Sequence, residues 1–283
     1  CSSDLEEKKE NGFLSSAKSI GFDAQTLSWS RWERWNKAGL SSLQPAPASF
    51  YRLRSIKDPL EIEQLQKAAD HVWQLYKELT LQLKEGISEI ELAIYFEKRA
   101  LEKFQTHPSF SPIVAFGENS AFPHHKPGER LLKKGDLVLL DLGVFHEHYC
   151  SDMTRIISFG SIPPDLEKIV QVVKKAHKAA VDLCKPGIYL HELDTAARQA
   201  MQREGLEELF THSLGHGVGL EIHEYPSIRS LGPHRDDKLT PGMVITIEPG
   251  LYKSGVGGAR FEDMLLITEK GAHNFYPQEE NEV

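Results

Sequence analysis

Residues 137–144 read LVLLDLGV and place a single acidic residue, Asp141, inside an apolar run. A short apolar run of this kind is consistent with a buried β-strand. A bare carboxylate there would be costly to bury, so it needs a compensating partner. The same situation recurs at VITIEPG (residues 244–250), which contains Glu248, and at RFEDMLLI (residues 260–267), which contains Glu262.

Five candidate residues follow from this reading: Asp141, Asp152, His216, Glu248 and Glu262. A single buried carboxylate is more often a capping or hydrogen-bonding group than a metal ligand. Four carboxylates together are different, because too few lysines and arginines lie nearby to pair with them all. Two divalent cations would balance four carboxylates with a neutral imidazole, so the pattern predicts a dinuclear metal site. The turn-like HEH between the two aspartates suits adjacent antiparallel strands that bring both carboxylates together.

The residues around these positions resemble the M24 metallopeptidases, which include Xaa-Pro aminopeptidases, prolidases and methionine aminopeptidases. The resemblance covers about residues 55–283, and its motifs are specific as an ordered set. It is carried by DLG (141–143), YCSDMTR (149–155), HSLGHGVGLEIHE (212–224), IEPG (247–250) and GARFED (258–263). It implies the pita-bread α+β fold, a curved antiparallel sheet covered by helices. The sequence pattern alone supports α+β with the site on sheet strands.

The resemblance also implies ligand roles and a reaction. Asp152 and Glu262 would bridge two metal ions, Asp141 would complete one, and His216 and Glu248 would complete the other. Hard oxygen ligands with one imidazole favour Mn²⁺, with Co²⁺, Fe²⁺ and Zn²⁺ as alternatives. The implied chemistry is metal-assisted amide hydrolysis, in which Glu248 also shuttles a proton.

Three further histidines resemble substrate-handling residues of the family: His124, His212 and His223. His125 is an alternative to His124, although the preceding proline favours His124. Arg260 is expected to point to the same strand face as Glu262 and to hold a metal carboxylate in place. Asp263 should face away from the site. Ordinary structural or surface roles are expected for His146, His148, His177, His191, His234 and His273.

Within the family, the features favour a proline-specific enzyme. His212 is present, and Leu220 follows Gly219 where methionine aminopeptidases tend to have arginine. We therefore expect an Xaa-Pro aminopeptidase. The alternatives are an Xaa-Pro dipeptidase (prolidase), then a methionine aminopeptidase, then a non-catalytic binding protein of the same fold. The last is disfavoured because all five ligands are intact. The expected partner is a peptide with proline at its second position, and the chain could also form a homodimer.

Composition and charge narrow the expected partners and cellular compartment of the protein. The 283 residues carry a net charge of −8, which argues against nucleic acid or an anionic membrane as a partner. No stretch is long enough for a transmembrane helix, and no signal peptide is visible. Three cysteines are too few for a disulfide framework and favour the cytoplasm, with Cys150 as a packed thiol. The start at Cys1 favours a truncated chain, and a mature lipoprotein is the less favoured alternative.

Two regions are expected. Residues 1–50 resemble the tail of a truncated N-terminal domain, with Trp29, Trp32 and Trp35 on one packing face of a helix and a linker at 44–48. Residues 51–283 form the catalytic domain. Its first predicted helix begins at a capping box on Asp58 and is stopped by Gly86, and the second begins at Ser88. Pro163-Pro164 is predicted to open a third helix that runs to about Leu183, and a fourth spans Leu193–Arg203. The alternation of helix pairs and strands suggests a duplicated half.

Overall fold

The structure is a computed structural model that describes residues 19–24, 26–37, 43–46 and 49–277, with only the backbone of residues 49 and 50. Its contacts divide the chain into two compact units, residues 1–53 and 54–283. Cys1 lies outside the described residues, as does the end of the predicted linker at residues 47–48.

The first unit contains β1 (Ile20–Phe22), α1 (Trp29–Lys37) and β2 (Leu43–Pro45), and α2 (Ser49–Ser55) begins in it. β1 and β2 pair in parallel, so the start of the predicted linker is a strand and that part of the prediction is wrong. α1 has no buried residue, and Trp29 is 73% exposed and stacks on Trp32. The predicted packing face of tryptophans is therefore not a buried one.

The second unit has four long helices: α3 (Pro59–Thr80), α4 (Glu89–Phe104), α5 (Pro164–Val181) and α6 (Leu190–Gln202). Capping boxes open α3 at Asp58 and α4 at Ser88, as predicted. α3 ends before the predicted Gly86, which lies in the following turn, where its N–H donates to the carbonyl of Leu132. α6 begins before the predicted Leu193, because the Glu192 side chain accepts the backbone N–H of Tyr189.

All strand pairings in this unit are antiparallel. The strands are β3 (Ile113–Phe116), β4 (Asp136–Leu142), β5 (Phe145–His146), β6 (Tyr149–Cys150), β7 (Met153–Phe159), β8 (Gly215–Gly217), β9 (Glu224–Ile228), β10 (Val244–Ile247), β11 (Gly250–Lys253), β12 (Gly257–Arg260), β13 (Asp263–Thr268) and β14 (Gly271–Asn274). One sheet has the order β3-β4-β7, a second has the order β14-β13-β10-β8-β9, and β5-β6 and β11-β12 form two separate ribbons.

Helices cover the sheets through two apolar clusters. In the first, Leu65 of α3 and Phe96 of α4 pack with Leu140 of β4. In the second, Val173 of α5 packs with Ile245 of β10, among other residues. The order of helix pair, strands, helix pair and strands matches the expected alternation. Among the described residues, no helix combines the length and apolar character that crossing a bilayer requires. The α+β class predicted from the sequence is confirmed.

Candidate metal centre and active site

Strand ends from both sheets supply the acidic residues. Asp141 lies in β4 opposite Thr154 of β7, and Asp152 comes directly before β7, so the predicted antiparallel arrangement of the two aspartates is found. Glu248 directly follows β10, and Glu262 lies between β12 and β13. All four carboxylates therefore lie within two residues of a strand end.

His216, on β8, lies at the middle of the cluster. One potential ligand atom from each of Asp152, His216 and Glu262 lies within 4.8 Å of the others, and all three residues are buried. The His216 Nε2 atom is 3.6 Å from Asp152 Oδ2 and 3.4 Å from Glu248 Oε1. Its Nδ1 is 3.0 Å from the carbonyl of Gly217, to which it donates, and this leaves Nε2 free to bind a cation.

Asp141 is held by Arg260, whose Nη2 lies 2.5 Å from Asp141 Oδ2. The other carboxylate oxygen, Oδ1, is buried and has no hydrogen-bond partner among the residues that the structure describes. An unpaired buried carboxylate oxygen is costly, so this atom needs a partner beyond those side chains. A bound cation would satisfy it.

The electrostatics of the cluster also fit a cation. Burial, together with Glu262, Asp141 and Glu248, raises the pKa of Asp152 well above its ordinary value. Burial and the carboxylate of Asp141 raise the pKa of Glu262 to about 8. Burial lowers the pKa of His216 to about 3, which keeps its imidazole neutral. Four clustered carboxylates and one neutral imidazole are a donor set for oxygen-seeking divalent ions, so the residues present fit such ions.

A hydrogen-bonded chain runs from Glu262 to His212. Thr154 Oγ1 donates to Glu262 Oε2 at 2.7 Å and accepts from Arg260 Nε at 3.1 Å. Arg260 Nη1 donates to Tyr252 Oη at 2.7 Å, and Tyr252 Oη lies 2.9 Å from His212 Nε2. His212 Nδ1 donates to the Ser213 carbonyl, so its Nε2 accepts from the tyrosine hydroxyl. Arg260 also donates to Asp141, so the same hydrogen-bond network includes a second carboxylate of the cluster.

Sequence reasoning missed Tyr252 and Thr154. Both residue types are ordinary in strands, and their partners lie far away in the chain. The only sequence signal was position: Thr154 follows Asp152 by one alternation of a strand, and Tyr252 follows the Glu248-Pro249-Gly250 turn.

The two remaining candidate histidines lie at the edge of the cluster. The His223 ring is 4.4 Å from the His216 ring, edge to face. His124 is exposed, and the carbonyl of Pro123 directly before it lies 3.4 Å from Arg260 Nη1. His125 is committed elsewhere, since its Nε2 lies 2.8 Å from Glu89 Oε2. The structure thus places the backbone before His124 beside Arg260 and turns His125 to Glu89.

Asp263 points away from the cluster, as expected for a non-ligand. Its Oδ1 accepts from Arg155 Nη2 at 2.7 Å, and His177 Nε2 lies 3.4 Å from its Oδ2. Arg155 Nη1 also donates to the carbonyl of Glu262, so this buried pair supports the candidate ligand from behind. Cys150 is a buried thiol whose pKa is raised by burial to about 12, which suits packing rather than nucleophilic chemistry.

A model of metallopeptidase family M24 matches residues 63–269. The chain belongs to this family. The pita-bread fold expected from the sequence is confirmed by solved structures of similar fold. A prolidase from Pyrococcus furiosus superimposes with a TM-score of 0.88 at 38% identity, covering 96% of this chain and 79% of that chain. An Xaa-Pro dipeptidase from Bacillus anthracis gives 0.90 at 34% identity, covering 97% and 77%.

Other M24 proteins are similar as well. An X-Pro aminopeptidase from Thermotoga maritima has a TM-score of 0.87 at 30% identity, covering 97% of this chain and 78% of that chain. YkvY of Bacillus subtilis, named as a candidate dipeptidase, is 41% identical over 254 residues, which are 89% of this chain and 69% of that protein. A peptidase of Staphylococcus aureus is 42% identical over 82% of this chain and 65% of its own length. The chain thus spans about two thirds of the length of these two relatives.

Proposed function

We propose that this M24 protein is a dinuclear-metal peptidase that hydrolyses the amide bond preceding a proline, with Xaa-Pro dipeptides as its main substrates. The observation that carries the proposal is the unpaired, buried Oδ1 of Asp141 beside the cluster of Asp152, His216 and Glu262. Similarity to an Xaa-Pro dipeptidase and to prolidases supports the substrate class. Similarity to an X-Pro aminopeptidase keeps the longer peptides that the sequence favoured as the second candidate substrate.

In the proposed site, the metals are held by Asp141, Asp152, His216, Glu248 and Glu262, with Mn²⁺ as the preferred ion. When bound, two divalent cations supply polarisation of the scissile carbonyl and activation of water. Glu248, whose Oε1 lies 3.4 Å from His216 Nε2, is the carboxylate that would also accept a proton and return it to the leaving amine. Arg260 fixes Asp141 through the ion pair described above.

The histidines orient the substrate in this proposal. His124 and His223 donate hydrogen bonds to the peptide carbonyl and to the negative charge that develops on its oxygen. His212 lines the pocket for the proline ring, in a tautomer fixed by its bonds to Ser213 and Tyr252. Proline has no amide hydrogen and a fixed ring, so a pocket shaped for it can discriminate against other residues.

The test compares three peptides with Mn²⁺ present: Ala-Pro, Ala-Pro-Ala and Met-Ala-Ser. The proposal expects kcat/KM to be highest for Ala-Pro. A higher value for Ala-Pro-Ala would assign the chain to the aminopeptidases, and a higher value for Met-Ala-Ser would overturn proline specificity. The ratios carry the result, because the chain spans only part of its relatives and absolute rates can be lower than theirs.

A further inference from the structure

Glu89, the first residue of α4, is fully buried at the centre of four contacts. Its Oε1 accepts from the backbone N–H of Phe116 at 2.8 Å and from Asn119 Nδ2 at 2.9 Å. Its Oε2 accepts from the N–H of Gly128 at 3.2 Å and lies 2.8 Å from His125 Nε2. Four contacts to one carboxylate offset much of the cost of burying it.

All four partners belong to one segment, residues 116–128, and this segment carries His124. It leaves β3, forms a 3-10 turn at Gly117–Ala121 and continues through the two histidines. A second set of contacts holds its middle. Ser120 Oγ accepts from the N–H of Gly258, and Arg260 Nη1 lies 3.4 Å from the carbonyl of Pro123. His124 therefore lies between an attachment to Arg260 just before it and one to Glu89 just after it.

The contact to Glu89 involves only the second of the two adjacent histidines. The side chain of His125 is only 15% exposed, and its Nε2 is committed to the carboxylate. The ring of His124 is exposed, and the backbone directly before it is the part of the segment that Arg260 contacts.

We propose that Glu89 and His125 are a positioning pair that sets His124 against the substrate. This inference rests on the proposed function and extends it to two residues outside the metal cluster. Neither residue touches the reacting atoms. Their effect on the reaction passes through the orientation of the His124 ring, because misplacing a reacting or orienting group by about an ångström can cost up to ~100-fold in rate.

The first test compares His125→Phe with His125→Gln in the metal-loaded protein, with Ala-Pro as substrate. Glutamine can place its Nε2 near the position of the histidine Nε2 and keep the bond to Glu89, whereas phenylalanine cannot. We expect His125→Phe to lower kcat by roughly 10- to 100-fold with KM and metal content little changed. His125→Gln should recover most of the loss. Equal losses in the two variants would overturn the proposal.

A double-mutant comparison with His124→Ala distinguishes positioning of the His124 ring from a general structural effect of changing His125. In a His124→Ala background, His125→Phe should reduce kcat by less than about twofold, since the ring that the pair orients is gone. A further loss as large as in the wild-type background would show that His125 acts elsewhere and would overturn the proposal. His273→Phe, on exposed strand β14, is the matched control for losing a histidine and should leave kcat unchanged.

A readout without catalysis makes the test independent of the proposed function. In NMR spectra, His125→Phe should shift the ring resonances of His124 and speed amide hydrogen exchange at Phe116 and Gly128, and His125→Gln should do so much less. If the wild-type protein cleaves no Xaa-Pro peptide, the proposed function fails while this comparison still decides the positioning. Unchanged His124 resonances in His125→Phe would overturn it. Glu89→Gln should reproduce the shift, and the His125 variants carry the test if that protein does not fold.

Discussion

Arg260 and Asp141 form a buried ion pair in which only one carboxylate oxygen is used. Arg260 Nη2 lies 2.5 Å from Asp141 Oδ2, while Oδ1 is buried and has no partner in the described part of the chain. The arginine also donates to Thr154, Tyr252 and the Pro123 carbonyl. One guanidinium therefore fixes a candidate metal ligand, a contact of a second ligand and the backbone before His124. The rigid fork of arginine can serve these acceptors at once, which a lysine cannot do.

Arg260→Lys should weaken metal binding by roughly 10- to 100-fold, since orienting partners of metal ligands typically contribute that much. The measurement is calorimetric titration of Mn²⁺ into protein stripped with a chelator. Arg99→Lys, in a surface ion pair with Glu78, is the control and should bind Mn²⁺ as the wild type does. Wild-type affinity in Arg260→Lys would contradict the assigned role.

Metal content should distinguish Glu262, a proposed metal ligand, from its buried neighbour Asp263, which is not one. The wild-type protein is expected to bind about two divalent ions per chain, and Glu262→Ala and Asp152→Ala should each reduce occupancy at both sites, because each is proposed to bridge. Asp263→Asn is the matched control, because Asp263 is equally buried but paired with Arg155. It should keep its metal and melt at a lower temperature. Elemental analysis and thermal melting give both readouts, and full metal in Glu262→Ala would rule out the bridging role.

Chelated protein should lose stability as the pH rises from 6.5 to 8. Burial and Asp141 raise the pKa of Glu262 from 4.5 to about 8, so in this interval the native state holds a proton that the unfolded state has lost. The free energy of unfolding then falls by about 2 kcal/mol per such proton over this interval. The imidazole of His216, with its pKa lowered by burial from 6.5 to about 3, is neutral in the native state across this interval. In the unfolded state it is half protonated at pH 6.5, so it opposes the fall by a smaller amount, about 0.4 kcal/mol, at the low-pH end of the interval.

Urea unfolding at several pH values in excess chelator measures this slope. Glu262→Gln should flatten it and should be the more stable protein at pH 8, although it binds metal poorly. Saturating Mn²⁺ should raise the stability of the wild type by mass action at both pH values. A wild-type slope that is flat in chelator would show that the carboxylates are not protonated in the metal-free protein.

A second buried charge cluster holds the chain beside His223. Lys57 Nζ lies 2.6 Å from Glu224 Oε1, and Arg54 Nη2 lies 2.9 Å from Glu224 Oε2. Lys57→Met should destabilise the protein by on the order of 3 kcal/mol. The buried carboxylate of Glu224 would then be paired only with Arg54, which is partly exposed. Adding Glu224→Leu should recover part of that loss. Denaturant unfolding of both proteins gives the comparison, and a neutral Lys57→Met would mean that water already solvates Glu224.

The sequence singled out residues that the structure brings close together, because these residues break a pattern. Asp141 and Glu248 are single charges at or inside apolar strand runs, and a charge out of pattern is visible without any structure. Glu89 was not singled out for the opposite reason. A glutamate following Ser88 at a helix start reads as an ordinary surface residue, and its burial depends on Phe116, Asn119 and Gly128 folding over it. Long-range contacts of this kind leave no local signal.

The errors in secondary structure have similar causes. Leu83 continues the apolar repeat of α3 beyond Thr80, yet the chain leaves the helix there, and Gly86 donates to Leu132. The strand at Leu43–Pro45 exists because it pairs with residues Ile20–Phe22, and proline-rich composition alone suggested a linker. In both places a tertiary contact overrides local preference, and periodicity cannot report such contacts.

Alanine variants of the four candidate histidines should distinguish a residue that binds metal from residues that contact the substrate. His216, whose free Nε2 lies among the carboxylates, should lose metal and activity together when changed to alanine. His124→Ala and His223→Ala should keep both ions and lower kcat by on the order of a hundredfold, the usual cost of one positioned donor or proton-transfer group. His212→Ala should keep metal and slow proline peptides less than either, because its Nε2 is occupied by Tyr252. Metal content beside kcat for all four proteins checks this, with His273→Ala as the control. Loss of metal in His124→Ala, or full activity in His223→Ala, would refute these roles while leaving membership of the family intact.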